Sequence, residues 1–246
     1  GHEFMGIVEE VGPEAGDLRV GDRVVVPFNI SCGHCWMCSR GLQSQCETTQ
    51  VTEQGKGASL FGYTRLYGSV PGGQAEFVRV PQAQYGPIRL PHEGADERYL
   101  YLSDILPTAW QAVHFADVDP DDTVAVFGLG PIGQLATRIA RHVGAERVIG
   151  VDLVDERLAA ARAHGVETID LRETPDAAEA IRELTHGRGA DGVVDAVGME
   201  AHGGPINTAA GFAVAATGKL PGPIARKATE AFGIDRLAAL HAALLS

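Results

Sequence analysis

An α/β architecture in two parts is what this sequence predicts: an irregular β domain over residues 1–100, then a doubly wound parallel sheet over residues 101–246. Two observations carry the prediction. In the first part, short runs of β-forming residues are cut repeatedly by glycine and proline. From Asp104 onward, apolar runs of strand length alternate with stripes of helical spacing, the pattern of βαβ units feeding a parallel sheet.

The strand candidates of the first part are Gly6–Val11, Asp22–Pro27 and Ala75–Val80, each bounded by turn residues, with a cysteine-rich loop inserted after the second. In the second part Thr123–Phe127 reads as a strand, and GLGPIG follows at once. Ile132, Leu135, Ala136, Ile139 and Val143 then mark one face of a helix. Arg147–Val151 is a second strand, ending at Asp152. Asp155–His164 reads as a helix, Thr168–Asp170 as a short strand, Asp176–His186 as another helix and Asp191–Val197 as a further strand. Residues 203–223, small and rich in proline and glycine, read as a surface excursion; Ile234, Leu237, Leu240 and Leu244 form a last helical stripe. There is no internal repeat.

Bulk properties narrow the function. The apolar fraction of 45% is that of a globular protein, and no apolar run reaches the ~18 residues of a transmembrane helix. No charged-then-apolar leader with a small-residue cleavage site is present, which gives secretion no support. A net charge of −12 without a lysine–arginine block argues against a nucleic-acid partner. The chain opens at Gly1-His2-Glu3 and stops at Ser246 directly after a helical stripe, so it is expected to be a fragment of a longer protein, truncated at both ends.

Gly128, Gly130 and Gly133 form a G-x-G-x-x-G turn that follows a predicted strand and opens a predicted helix, with Asp152 at the end of the next strand. That context turns a weak motif into a dinucleotide site of the Rossmann type. The glycines permit a tight turn and a close approach of backbone to pyrophosphate, which would sit at the positive helix end. A carboxylate at Asp152 can accept both ribose hydroxyls and repels a 2′-phosphate, so NAD is expected rather than NADP. The other reading is a glycine turn that binds some other nucleotide, or nothing.

All the cysteines of the chain, Cys32, Cys35, Cys38 and Cys46, lie in one loop with the spacing C-x2-C-x2-C-x7-C. An acidic, cysteine-poor chain fits a reducing cytoplasm, where disulfides are rare and such a cluster reads as a metal site. Four thiolates suit a closed, tetrahedral, structural zinc. An iron–sulfur cluster, two disulfides or idle thiols are the alternatives.

A GHE motif, a four-cysteine loop and a Rossmann unit, in this order, resemble the zinc-dependent medium-chain alcohol dehydrogenases. VPFNISCGHCWMCSRGLQSQCETT, GKGASLFGYTRLYGSVPGGQAEFVRVP and YLSDILPTAWQAV are similar in particular to the glutathione-independent formaldehyde dehydrogenase and formaldehyde dismutase branch. The resemblance covers the chain to about Gly198 and is weaker from MEAHG to Ser246. It implies a GroES-like irregular β domain over 1–100, carrying the structural-zinc loop 32–46, and a partial Rossmann NAD-binding domain over 101–246.

The resemblance also implies a second, catalytic zinc. His2 matches the histidine ligand, Asp104 in LSDILPTAW the aspartate ligand, and Glu3 the carboxylate beside the metal. A cysteine ligand lies upstream of the GHE motif in the family, and the four cysteines present all belong to the structural loop. Ile132 and Gly133 match the phosphate turn, Asp152 the adenosine ribose, Arg157 the adenosine end, and Val197 and His202 the nicotinamide side. On their own, His2 reads as a solvated side chain, Asp104 as a helix cap and Arg157 as an exposed helix charge.

The implied reaction moves a hydride between a primary alcohol, or a hydrated aldehyde, and NAD, with the open zinc position acting as a Lewis acid. A polyol or threonine-type dehydrogenase is the rival within the superfamily. A zinc- and nucleotide-binding fold without catalysis is the rival outside it. No residue separates dehydrogenase from dismutase. The family's coenzyme domains pair, which implies a homo-oligomer.

Overall fold

The computed structural model describes residues 1–197 and 243–246. The chain divides into two compact units, Gly1–Pro107 and Thr108–Ser246.

In the first unit, β1 (Phe4–Ile7), β2 (Arg23–Val26) and β3 (Ile88–Arg89) form an antiparallel sheet in the order β1-β2-β3. The central β2 is buried along its whole length. Its period-two face, Val24 and Val26, packs with Phe4, Ile30 and Phe61 into the core of the unit. Phe4 and Phe61 meet edge to face at 5.2 Å.

Two strand expectations change here. The first ladder begins at Phe4 rather than Gly6, because the pairing Phe4↔Val26 starts it. Its far end closes through the Val8 amide on Asp22 O and the Gly21 amide on Val8 O. Ala75–Val80 forms no ladder among the described residues. Val78 and Val80 nevertheless pack against the core as their apolar character requires, while the third strand is Ile88–Arg89. After β3, a single-turn helix over Leu100–Ser103 leads to Asp104 and then to α1 (Ile105–Phe115).

The second unit contains β4 (Thr123–Phe127), α2 (Pro131–Val143), β5 (Arg147–Asp152), α3 (Asp155–Arg162), β6 (Glu167–Asp170), α4 (Ala177–Leu184) and β7 (Gly192–Asp195). All neighbouring strands are parallel and the sheet order is β6-β5-β4-β7. Every residue of β4 is buried, as expected of a strand covered on both faces. One face packs Ala125, Phe127, Ile149, Val151 and Ile169 against Ala177 and Ile181 of α4. Chain order reverses at β4: β5 and β6 extend to one side, and β7 returns on the other. The carboxyl end of β4 is therefore the topological switch point, where open α/β sheets take their ligands.

Local chemistry sets the helix ends. Gly130 caps α2, Pro131 occupies its first position, and Gly144 at φ 119° terminates it. Asp176 caps α4 by accepting the Glu179 amide at 3.0 Å. The third helix stops at Arg162, short of the expected His164, because Gly165 at φ 76° turns the chain and the Val166 amide returns to Ala161 O. His202, the excursion 203–223 and Ile234, Leu237 and Leu240 lie outside the described residues.

Candidate functional site

The G-x-G-x-x-G turn sits at the switch point, between β4 and α2. Gly128 adopts φ 84°, and a Cβ there would lie 2.9 Å from Ala196 O and 3.0 Å from Val197 Cα. So Val197, an expected nicotinamide-side residue, backs the first glycine of the turn. A Cβ on Gly133 would lie 1.8 Å from Gly128 O, so helix and turn close only over a glycine. Gly130 differs: it has φ −67°, and a Cβ there would meet nothing within 4 Å. The open space faces the start of α2, where a phosphate would be received by amide groups and the helix dipole. Half-buried Ile132 lies in the same first turn.

Asp152 ends β5, only 6% exposed. Its Oδ2 accepts the Leu129 amide at 2.6 Å, and its Oδ1 accepts the amides of Leu153 and Val154 at 2.7 and 3.0 Å. Arg157 in α3 brings Nη1 to 3.7 Å from Oδ2. The carboxylate expected to take ribose thus also holds the turn together, a role that sequence spacing does not reveal. Gln134 adds a second brace, its Nε2 donating to Leu129 O and Arg157 O at 3.2 and 2.8 Å.

In the first unit the thiols of Cys32, Cys35, Cys38 and Cys46 are free, and their sulfurs all lie within 4.8 Å of one another. Among the described residues this is the one set of three or more ligand-type side chains whose donor atoms converge. Short turns over Cys38–Arg40 and Gln43–Gln45 fold the loop. Gly33 at φ 81° is obligatory, since a Cβ there would lie 2.2 Å from the Tyr85 ring.

Donors surround the sulfurs. The amides of Cys35, Cys38 and Cys32 point to Cys32, Cys35 and Cys46 Sγ at 3.3, 3.5 and 3.4 Å, and Thr48 Oγ1 donates to Cys32 Sγ at 3.1 Å. Burial pushes the Cys32 thiol up, but the Thr48 hydroxyl and backbone donors outweigh it and bring it down to about 6. Cys46 is lowered in the same way against its burial, chiefly by Thr49. Burial dominates at Cys38 and pushes it up to about 12. Four converging thiols, with hydrogen bonds that favour thiolate, fit a tetrahedral metal such as zinc and leave no open position for substrate.

His2 and Asp104 lie 102 positions apart, yet His2 Nε2 is 2.9 Å from Asp104 Oδ2. Several local features produce this. The Gly1 carbonyl accepts the Gly73 amide at 2.7 Å, fixing the entry to β1. The register Phe4↔Val26 sets His2 opposite Phe28, whose ring stands edge-on to the imidazole at 5.9 Å. The Phe28 amide donates to Ser103 O at 3.3 Å, which anchors the residue just before Asp104. Tyr63 also lies beside His2, at 5.0 Å. Burial, then the charges of Asp104 and, more weakly, Tyr67 and Glu3, push the Tyr63 phenol up, keeping it neutral. Glu3 itself is exposed. The imidazole–carboxylate pair is a donor set suited to zinc.

Known proteins and family models match both parts of the chain. Residues 1–91 match the family model described as alcohol dehydrogenase GroES-like domain, and residues 131–211 the one described as zinc-binding dehydrogenase. The chain is 43% identical over 203 residues to the uncharacterized zinc-type alcohol dehydrogenase-like protein AdhB of Bacillus subtilis, covering 81% of this chain and 53% of that one. It is 42% identical over 207 residues to a glutathione-independent formaldehyde dehydrogenase of Pseudomonas aeruginosa, covering 82% of this chain and 51% of that one. Among solved structures, the alcohol dehydrogenase TADH from Thermus sp. ATN1 superposes with a TM-score of 0.72 at 37% identity, covering 80% of this chain and 54% of that one. The chain spans about half the length of the curated relatives it matches. It pairs a GroES-like β unit with a Rossmann unit, and it belongs to the zinc-dependent medium-chain alcohol dehydrogenase family.

Proposed function

We propose that this protein is an oxidoreductase that transfers a hydride between NAD and a primary alcohol or hydrated aldehyde of formaldehyde-like size. The observation that carries the reading is the 2.9 Å approach of His2 to Asp104, two ligand-type side chains from distant parts of the chain. A metal held there, with Glu3 close by in sequence, would polarise the substrate oxygen and ease loss of its proton, while NAD would take the hydride. His2 and Asp104 hold each other in register, so the donor set is preorganised. Asp152 accepts the adenosine ribose hydroxyls and disfavours a 2′-phosphate, Arg157 lies at the adenosine end, and the open face of Gly130 receives pyrophosphate. The cysteine loop holds a structural zinc that stabilises the fold and takes no part in the reaction.

Initial rates of the full-length protein with formaldehyde and with ethanol, with NAD against NADP, test this. The expected result is NAD-dependent turnover that Asp104→Ala abolishes. Tight NAD binding without turnover would instead make the protein a binding module. Formaldehyde converted to equal methanol and formate without free NADH would identify a dismutase, in which the cofactor stays bound. Assembly into homo-oligomers and a cytoplasmic location accompany this reading; sedimentation and fractionation check them.

A further inference from the structure

We propose that Tyr63 sets the chain length of the alcohol or aldehyde accepted beside His2 and Asp104. The inference rests on the proposed function and names the substrate class within it: short, unbranched alcohols and aldehydes. The His2 imidazole clusters with two rings, Phe28 edge-on at 5.9 Å and Tyr63 tilted by 42° at 5.0 Å, which stand 6.5 Å from each other. Tyr63 differs from a core aromatic in being 37% exposed, which leaves its side chain accessible to a molecule bound at the neighbouring imidazole–carboxylate pair.

The ring has little freedom to retreat. Gly62 precedes it at φ 70°, its amide donating to Val70 O at 3.0 Å, and a Cβ at Gly62 would lie 2.9 Å from the Gly1 carbonyl carbon. Tyr67 stands edge-on to Tyr63 at 5.5 Å, in a turn closed by the Tyr67 amide on Thr64 O at 2.9 Å. Lys56 Nζ lies 5.9 Å from the Tyr67 ring centroid. A ring held by such neighbours excludes by volume, because moving it would cost the packing of the ring series.

The test uses the full-length protein and compares Tyr63→Ala, Tyr63→Leu and Tyr63→Phe. One readout is the ratio of kcat/KM for 1-hexanol to that for ethanol. The other is the ratio of dissociation constants for hexanamide and acetamide, unreactive carbonyl analogues, measured by calorimetry. Tyr63→Ala is expected to raise the hexanol-to-ethanol ratio by about tenfold or more, the usual scale for pocket-volume discrimination. It should tighten hexanamide relative to acetamide in parallel. Tyr63→Leu falls between, and Tyr63→Phe keeps the wild-type ratios. Ratios within about twofold of wild type in both Tyr63→Ala and Tyr63→Leu would overturn the proposal, as would Tyr63→Phe shifting them as far as alanine does. Should wild type turn over no alcohol or aldehyde, the proposed function falls; an active wild type with unmoved ratios sinks the chain-length role alone.

Discussion

Asp152 Oδ2 accepts the Leu129 amide at 2.6 Å across 23 residues, tying the end of β5 to the middle of the phosphate turn. The carboxylate expected to recognise ribose is thereby also a strut of the cofactor-free protein. Charge-assisted hydrogen bonds contribute about 1.5–3 kcal/mol each, and a buried amide left unpaired costs about 1–3 kcal/mol. Asp152→Ala, which frees the amides of Leu129, Leu153 and Val154, should lower unfolding free energy by at least about 2 kcal/mol even without cofactor. Asp152→Asn keeps one acceptor oxygen, so it should lose less stability while narrowing the preference for NAD over NADP. Urea titration of the cofactor-free protein decides: an unchanged midpoint in Asp152→Ala would remove the strut role.

Two glycines of one turn should respond differently to alanine in the cofactor-free protein. Gly133→Ala places a Cβ 1.8 Å from a backbone oxygen, so the turn must open and both folding and NAD binding suffer. Gly130→Ala meets no protein atom within 4 Å and needs no unusual φ, so the cofactor-free protein should melt within about 0.5 kcal/mol of wild type. NAD affinity should nevertheless fall by about tenfold or more if pyrophosphate fills that space. Thermal melts with and without NAD separate the cases. A Gly130→Ala protein that binds NAD at wild-type strength would argue against pyrophosphate occupying the space.

These two sites were legible because their logic is local. Strand, glycine turn and helix follow one another in sequence, and the cysteines occupy a single loop; spacing alone carries the chemistry. Strands of the second unit were equally plain, since burial on both faces leaves unbroken apolar runs such as Thr123–Phe127. Pairing was not legible in the first unit. Ala75–Val80 has strand composition and packs into the core without a ladder, whereas Ile88–Arg89, short and exposed, supplies the third strand. Arg23 was equally hidden: buried in β2, it donates to Pro91 O, Glu93 O and Gly94 O and pairs with Asp96. Tyr63 meets His2 only through the fold, and no periodicity announces such a contact.

At the cysteine loop, the Thr48 hydroxyl donates to Cys32 Sγ at 3.1 Å. Hydrogen bonds to ligating groups typically tune metal affinity by about 10–100-fold. Thr48→Val removes the donor and should weaken zinc retention by about tenfold, with the metal stripped at lower chelator concentration. Metal removal should loosen the Cys32–Cys46 loop before the sheet of the second unit unfolds. Elemental analysis after graded chelation, followed by hydrogen exchange, reads both effects. Wild-type chelator resistance in Thr48→Val would mean the bond is incidental to metal binding.

Arg172 clamps two carboxylates at the surface, Asp155 at the start of α3 and Asp170 at the end of β6. The Arg172 hydrogen bonds hold the Asp170 carboxyl down to about 2 from its ordinary 3.8 and lower Asp155 as well. A carboxyl depressed in the folded state favours folding wherever it stays ionised, so the contribution is complete above its unfolded pKa. It fades as the pH falls from about 4 through 2, where both states become protonated. Arg172→Met should therefore lower the urea midpoint modestly at neutral pH, since Arg172 and Asp155 are exposed and solvent screens them. The gap to wild type should close as the pH approaches 2, and added salt should shrink it at pH 7. A gap that widened on acidification would mean the loss arises from packing of the Arg172 stem rather than from its charge.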